Sequence, residues 1–372
     1  MTRLTLILAT LGLTSLAASP AMANKTDVDL CEEREVKACS RLIDGGKVVD
    51  KNLALSLVFR SEGLERSGDL QGALRDATHA LKVAPGWTRP RANLARLYER
   101  TGQTKLLLEN YMIAIAMNPQ DPSFYSLRGH YYERRGELSL AEQDFSHAIL
   151  VAPNDHIYLT ARGRVLLAQN KLDEAIADFD RVFKLTIINP EVSALRGEAH
   201  YWKKNYQAAL ADLNRAIQYK PSLGEAYLNR ARVHKALGEL DKALPDLDKA
   251  LEINPKQAAA LRNRCVVRAV LGKDMAGALA DCEAAIAVDG RKTEHLSNRG
   301  MVKLLTSKID EAIADFTEAL AKDPKNHEAL QGRGIARLRT GDAGAAQQDF
   351  DASERLFPGI SQNFERYRSV AR

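Results

Sequence analysis

The segment Ala194–Pro221, ALRGEAHYWKKNYQAALADLNRAIQYKP, gathers Arg196, Glu198, His200, Tyr201, Trp202 and Asp212 in a short span. An imidazole among carboxylates, with two aromatic rings alongside, is material for an active site. The same side chains also serve a scaffold that holds something else. Elsewhere the chemistry is sparse. The histidines, at 79, 130, 147, 156, 200, 234, 295 and 327, are scattered along the chain. None has His-x-x-x-His or Glu-flanked spacing, and no Cys-x-x-Cys occurs, so no metal site is expected. Gly332-Arg333-Gly334 lacks the third glycine and the preceding strand of a dinucleotide loop. Neither a Gly-x-Ser-x-Gly elbow nor a phosphate-binding loop appears. The expectation is therefore no enzyme and no cofactor.

Composition excludes further classes. The 53 basic and 48 acidic side chains nearly balance, for a formal net charge of +5. A charge so small and so spread does not suit nucleic acid, which needs a concentrated basic patch. Aromatic residues make up only 6% of the chain, so the interior is built from Ala and Leu. At the N-terminus, Arg3 precedes the apolar run LTLILATLGLTSL, and Ala21-Met22-Ala23 supplies a small-x-small cleavage pattern. This reads as a signal peptide of residues 1–23 and predicts a mature chain from Asn24. The run is too short to span a bilayer, and no later segment is long enough. A periplasmic or secreted bacterial protein is expected.

The elements that position these residues follow a ruler. Pro85, Pro119 and Pro153 are 34 residues apart, as are Pro221 and Pro255, and Pro324 and Pro358. One extra residue falls near Met275. Nine repeats begin at Ala54, Thr88, Pro122, His156, Pro190, Gly224, Ala258, Thr293 and His327, each reading as two amphipathic helices joined by a tight turn. Position 8 is small throughout (Ser61, Ala95, Gly129, Gly163, Gly197, Ala231, Cys265, Gly300, Gly334). Position 20 is Ala except at Leu107, and position 24 often carries Tyr111, Phe145, Phe179, Phe316 or Phe350. Glycine marks most inter-helix turns and Pro stops the second helix.

This pattern of small residue, Tyr, Gly, Ala, Phe, Ala and Pro on a 34-residue period resembles the tetratricopeptide repeat (TPR) family. The resemblance implies an all-α fold: a right-handed α-solenoid of about nine hairpins with capping helices at both ends. Residues 24–53 form an N-terminal capping segment, 54–360 the repeats, and 361–372 a closing helix with Phe364, Tyr367 and Val370 inward.

Arginine recurs at position 7 and aspartate at position 23, giving Arg196–Asp212, Arg230–Asp246 and Arg299–Asp315 among others. Repeat two loses both partners together, having Leu94 and Asn110. In a hairpin folding near position 16 these positions oppose each other, so the joint loss predicts paired structural rungs rather than catalysts. Cys265 and Cys282 face each other in the same way, which favours a disulfide, with two core thiols as the alternative. Cys31 and Cys39 are the remaining pair. On one straight helix they would lie about 12 Å apart, so bonding requires Cys31 to sit before the helix and fold back.

By the family pattern, positions 2, 5, 9, 12 and 13 line a concave groove. They include Arg96, Arg100, Arg134 and Arg164 early, Tyr201 and Trp202 in repeat five, and Arg262, Val266, Met301, Leu304, Leu305, Ile335 and Leu338 late. An apolar strip with a charged rim suits a partner helix or extended segment. The Lys/Asn set with which some family members grip a C-terminal carboxylate is missing. Asn229, Asn263 and Asn298 precede the rung arginines and fall outside the groove positions. The resemblance implies a scaffold or adaptor for protein partners in the cell envelope, in assembly or secretion. A carbohydrate- or cell-wall-binding subunit using Tyr201 and Trp202 is the alternative.

Overall fold

The computed structural model describes residues 26–185 and 188–359. The signal-peptide and closing-helix expectations lie outside these residues. Among them the chain forms helices and no strand. Contacts divide the described residues into two compact units that part between Arg128 and Gly129.

The first unit holds α1 (Asp27–Glu32), α2 (Val36–Asp44), α3 (Asp50–Ser67), α4 (Leu70–Val83), α5 (Thr88–Arg100) and α6 (Thr104–Met117). Helix α7 (Pro122–Arg134) carries the boundary. The second unit continues with α8 (Leu138–Val151), α9 (His156–Ala168), α10 (Leu172–Leu185), α11 (Pro190–Trp202), α12 (Tyr206–Tyr219), α13 (Gly224–Ala236) and α14 (Leu240–Ile253). It ends with α15 (Ala258–Leu271), α16 (Met275–Asp289), α17 (Thr293–Leu305), α18 (Ile309–Lys322), α19 (His327–Arg339) and α20 (Ala343–Leu356). Within each unit successive helices pack as hairpins, and each hairpin packs on the next.

Close approach inside a hairpin is a volume trade across two positions. Gly163 lies so near Phe179 that an added Cβ would meet its ring at 2.5 Å, and Gly334 stands in the same relation to Phe350. Phe145, Phe179 and Phe316 are fully buried. Where the facing residue is the smaller Leu247, the partner is Ala231, also buried. In α15 and α16 the pair is Cys265 and Cys282, joined by a disulfide with Cα atoms 5.5 Å apart. The ring, the branched aliphatic side chain and the disulfide occupy the same slot, and the trade is not strict, since Leu213 faces Gly197.

The second disulfide joins Cys31 and Cys39, with Cα atoms 4.7 Å apart. Cys31 sits before α2, the helix that carries Cys39, as expected from the sequence, and itself belongs to the short α1. The chain turns back at Arg34, whose φ is 69°. Two helices therefore meet where one straight helix would hold the sulfurs apart.

Candidate functional site

The opening cluster separates into two layers. Arg196 Nε and Nη2 donate to Asp212 Oδ2 and Oδ1 at 2.7 and 2.6 Å, a fork-to-carboxylate pair across α11 and α12. Asp212 is 4% exposed, and the third arm of the guanidinium reaches Asp180 of the preceding hairpin at 2.6 Å. The same two-point contact joins Arg162 to Asp178, Arg230 to Asp246, Arg299 to Asp315 and Arg333 to Asp349. The extra residue ahead of α16 is absorbed without loss, since Arg264 pairs with Asp281 at 2.8 and 2.7 Å. In repeat two, Leu94 is buried and Asn110 Nδ2 donates to the carbonyl of Arg91 at 3.0 Å. An amide and an apolar side chain thus replace a buried charge pair without leaving either charge alone.

The outward layer is open. A cavity of about 700 Å³ is lined along α9, α11 and α13 by Leu167, Ala194, Leu195, Glu198, Trp202 and Asn229, with Arg164, Glu191, Leu223 and Glu225 also contributing. Trp202 is 49% exposed. The Arg232 guanidinium lies 4.9 Å from the ring centres of both Tyr201 and Trp202, and 3.6 Å from Glu198. Glu198 and Trp202 form one wall of the cavity, with Arg232 and Tyr201 packed against them outside its lining. His200 on the same helix takes no part in it. Burial pushes its imidazole below the ordinary range. Among the described residues no group of His, Cys, Asp and Glu is placed to hold a metal.

The remaining groove candidates divide. In the first unit Arg96 and Arg100 both clasp the buried Glu65, Arg100 at 2.8 Å. In the second, Arg164 forks onto Glu133 at 2.6 and 2.7 Å. Burial alone would raise the Glu133 carboxyl, but hydrogen bonds from Arg164 and His130, with their charges, hold it at about 2. Arg134 is exposed on α7, and Arg262 is half-buried on α15. The late apolar strip needs correction. Leu304 is 1% exposed and Ile335 is 0% exposed. Met301 packs half-buried against the same core cluster as these two, and Leu305 against the cluster of Cys265 and Cys282. These side chains are consumed by packing with neighbouring helices, which the position rule alone does not separate from groove exposure. Val266 is half-buried, and Leu338, 42% exposed, faces outward.

Models of the tetratricopeptide repeat match residues 224–257 in one form, and residues 160–223 and 299–359 in another. Residues 160–257 and 299–359 are thus tetratricopeptide repeats. Among solved structures, a TPR protein from Parabacteroides merdae is 19% identical, with 67% of this chain and 98% of that one covered at a TM-score of 0.49. The thermophilic TPR protein TTC0263 of Thermus thermophilus is 24% identical over 50% of this chain and 100% of that one, at 0.42. PilF of Pseudomonas aeruginosa is 18% identical over 56% and 95%, at 0.47. No curated protein matches the chain.

Two features of this TPR protein escape the sequence reading. The rung arginines reach back to residue 25 of the preceding repeat, as Arg264 does to Asp248 at 2.8 Å and Arg230 to Asn214 at 2.7 Å. The recurring asparagines at position 6 are also corrected. Asn229 lines the cavity, and Asn263 accepts a hydrogen bond from Lys235. Their periodicity, Asn229, Asn263 and Asn298, was the available signal.

Proposed function

We propose that this TPR protein is an exported, non-enzymatic scaffold that binds a peptide or helix of a protein partner over α9, α11 and α13, in envelope assembly or secretion. The observation that carries the reading is the cavity beside Trp202: an apolar floor of Leu167, Ala194 and Leu195 under a half-exposed indole, rimmed by charge. A concave apolar site with a few convergent polar groups is what a partner's anchor side chain fills. The rungs beneath it make a rigid support. Export is supported by the leader-like residues 1–23 and by two disulfides, which persist outside a reducing cytosol. No helix among the described residues is long and apolar enough to cross a membrane. A carbohydrate partner is the second reading, with Arg232 over one face of Tyr201 and of Trp202 and the indole half-exposed.

The test is Trp202→Ala. The expected result is loss of the partner recovered with the wild-type protein, at unchanged Tm. Retention of that partner at wild-type yield contradicts the reading.

A further inference from the structure

Lys235 differs from several interior cations of the second unit, which meet carboxylates: Arg268 reaches Asp281 at 2.9 Å, Lys303 reaches Asp315 at 2.9 Å, and Arg337 reaches Asp349 at 2.8 Å. The Lys235 ammonium instead donates to Oδ1 of Asn263 at 2.7 Å. Asn263 is held in turn, its Nδ2 donating to the carbonyl of Ala259 at 2.8 Å. An ammonium carries three donors, and this bond uses one. The charges that bear on Lys235 are those of Arg232 on its own helix, Arg262 on α15 and Glu328 on α19. Burial first, then the two arginines, push its ammonium below the ordinary lysine range, and Glu328 opposes them. Arg262 forms no ion pair among the described residues. A half-buried cation facing two others, with donors unspent, costs stability in the free protein. Such sites are candidates for ligand recognition.

The cluster adjoins the cavity. Asn229, Arg232 and Lys235 follow at three-residue steps along α13. Asn229 lines the cavity and accepts from Arg232 Nη1 at 3.1 Å, while Arg232 covers Trp202. Lys235 lies outside the cavity's lining, two three-residue steps along α13 from Asn229.

We infer that Lys235, Arg262 and Asn263 form a carboxylate subsite that takes an Asp or Glu side chain within the partner segment seated in the Trp202 cavity. The assignment rests on the groove reading above and deepens it. An entering carboxylate meets the two free ammonium donors and the Arg262 fork, and supplies the negative charge the cluster lacks.

The test uses the full chain and a limiting dose of acetic anhydride, with labelling at each lysine read by mass spectrometry. The probe is hexaglutamate, N-acetylated and C-amidated so that its only carboxylates are side chains, and hexaglutamine is the control. At probe about ten times its Kd, labelling of Lys235 slows about tenfold. The exposed Lys256 keeps its rate, and Arg262→Gln abolishes the protection. Equal labelling of Lys235 with hexaglutamate and hexaglutamine overturns the assignment. So does protection that requires a free C-terminal carboxylate, because the ligand is then a chain end. Lys235→Met separates binding from structure: its Tm is expected to equal or exceed wild type, and a clear fall contradicts the proposal. Loss of protection with the Trp202-dependent partner retained sinks this subsite alone. Loss of the partner interaction itself sinks the groove reading.

Discussion

Arg196 and Asp212 meet across the α11–α12 hairpin through two parallel hydrogen bonds of 2.7 and 2.6 Å, while the same guanidinium holds Asp180 of the hairpin before it. One side chain thus closes its own hairpin and ties it to its neighbour. The residues that first suggest chemistry at this point of the chain are spent on architecture, and the recognition surface is built above them.

Removing one partner leaves the other charge buried. Asp212→Ala is expected to lower stability by about 3 kcal/mol, whereas replacing both Arg196 and Asp212 with apolar residues costs less than that single change. Urea denaturation of the two variants checks the order. An Asp212→Ala variant as stable as wild type would show that the rung carries no stability.

The Gly163–Phe179 contact predicts a compensating pair. A methyl added at Gly163 must displace the Phe179 ring, costing about 1–3 kcal/mol. The double change Gly163→Ala with Phe179→Leu recreates the pairing of Ala231 with Leu247 and is expected to recover most of the loss. A double-mutant cycle in thermal denaturation reads the coupling, and additive losses would contradict the volume trade.

Much of this was legible in the sequence because the repeat imposes one environment many times over. Arg196 and Asp212 read as partners since repeat two, with Leu94 and Asn110, drops both at once. Leu304 and Ile335 misled for the same reason. Position within the repeat says which way a side chain leaves its own helix, but not whether the adjacent hairpin covers it. Lys235 falls at groove position 12, but its distinction is the missing carboxylate, a property of neighbours distant in sequence.

The disulfide between Cys265 and Cys282 closes a loop of sequence separation 17, and removing it is expected to cost roughly 3 kcal/mol. Dithiothreitol should lower the Tm of wild type and leave Cys265→Ala/Cys282→Ala unaffected by that bond's loss. Intact mass after alkylation without reduction should show no added label. Four labelled thiols would contradict both bridges.

Glu133 predicts an acid-sensitive contribution. Its folded-state carboxyl, at about 2, lies below the ordinary glutamate value of 4.5. The stability it contributes is therefore complete above the unfolded value, declines as pH falls below it, and is gone near the folded one. The stability gap between wild type and Glu133→Gln should narrow steadily over that acid range. A gap that does not change with pH would contradict the Arg164–Glu133 assignment.

The most direct measurement of the central claim is site-specific photo-crosslinking in the producing cell. A photoreactive residue replaces Trp202 or Glu225, both lining the cavity, or Gln347 on α20 as an exposed control away from it. The account predicts one discrete protein adduct from Trp202 and Glu225, the same species from both, and none from Gln347. No protein adduct from either cavity position, or an identical adduct pattern from Gln347, would contradict it.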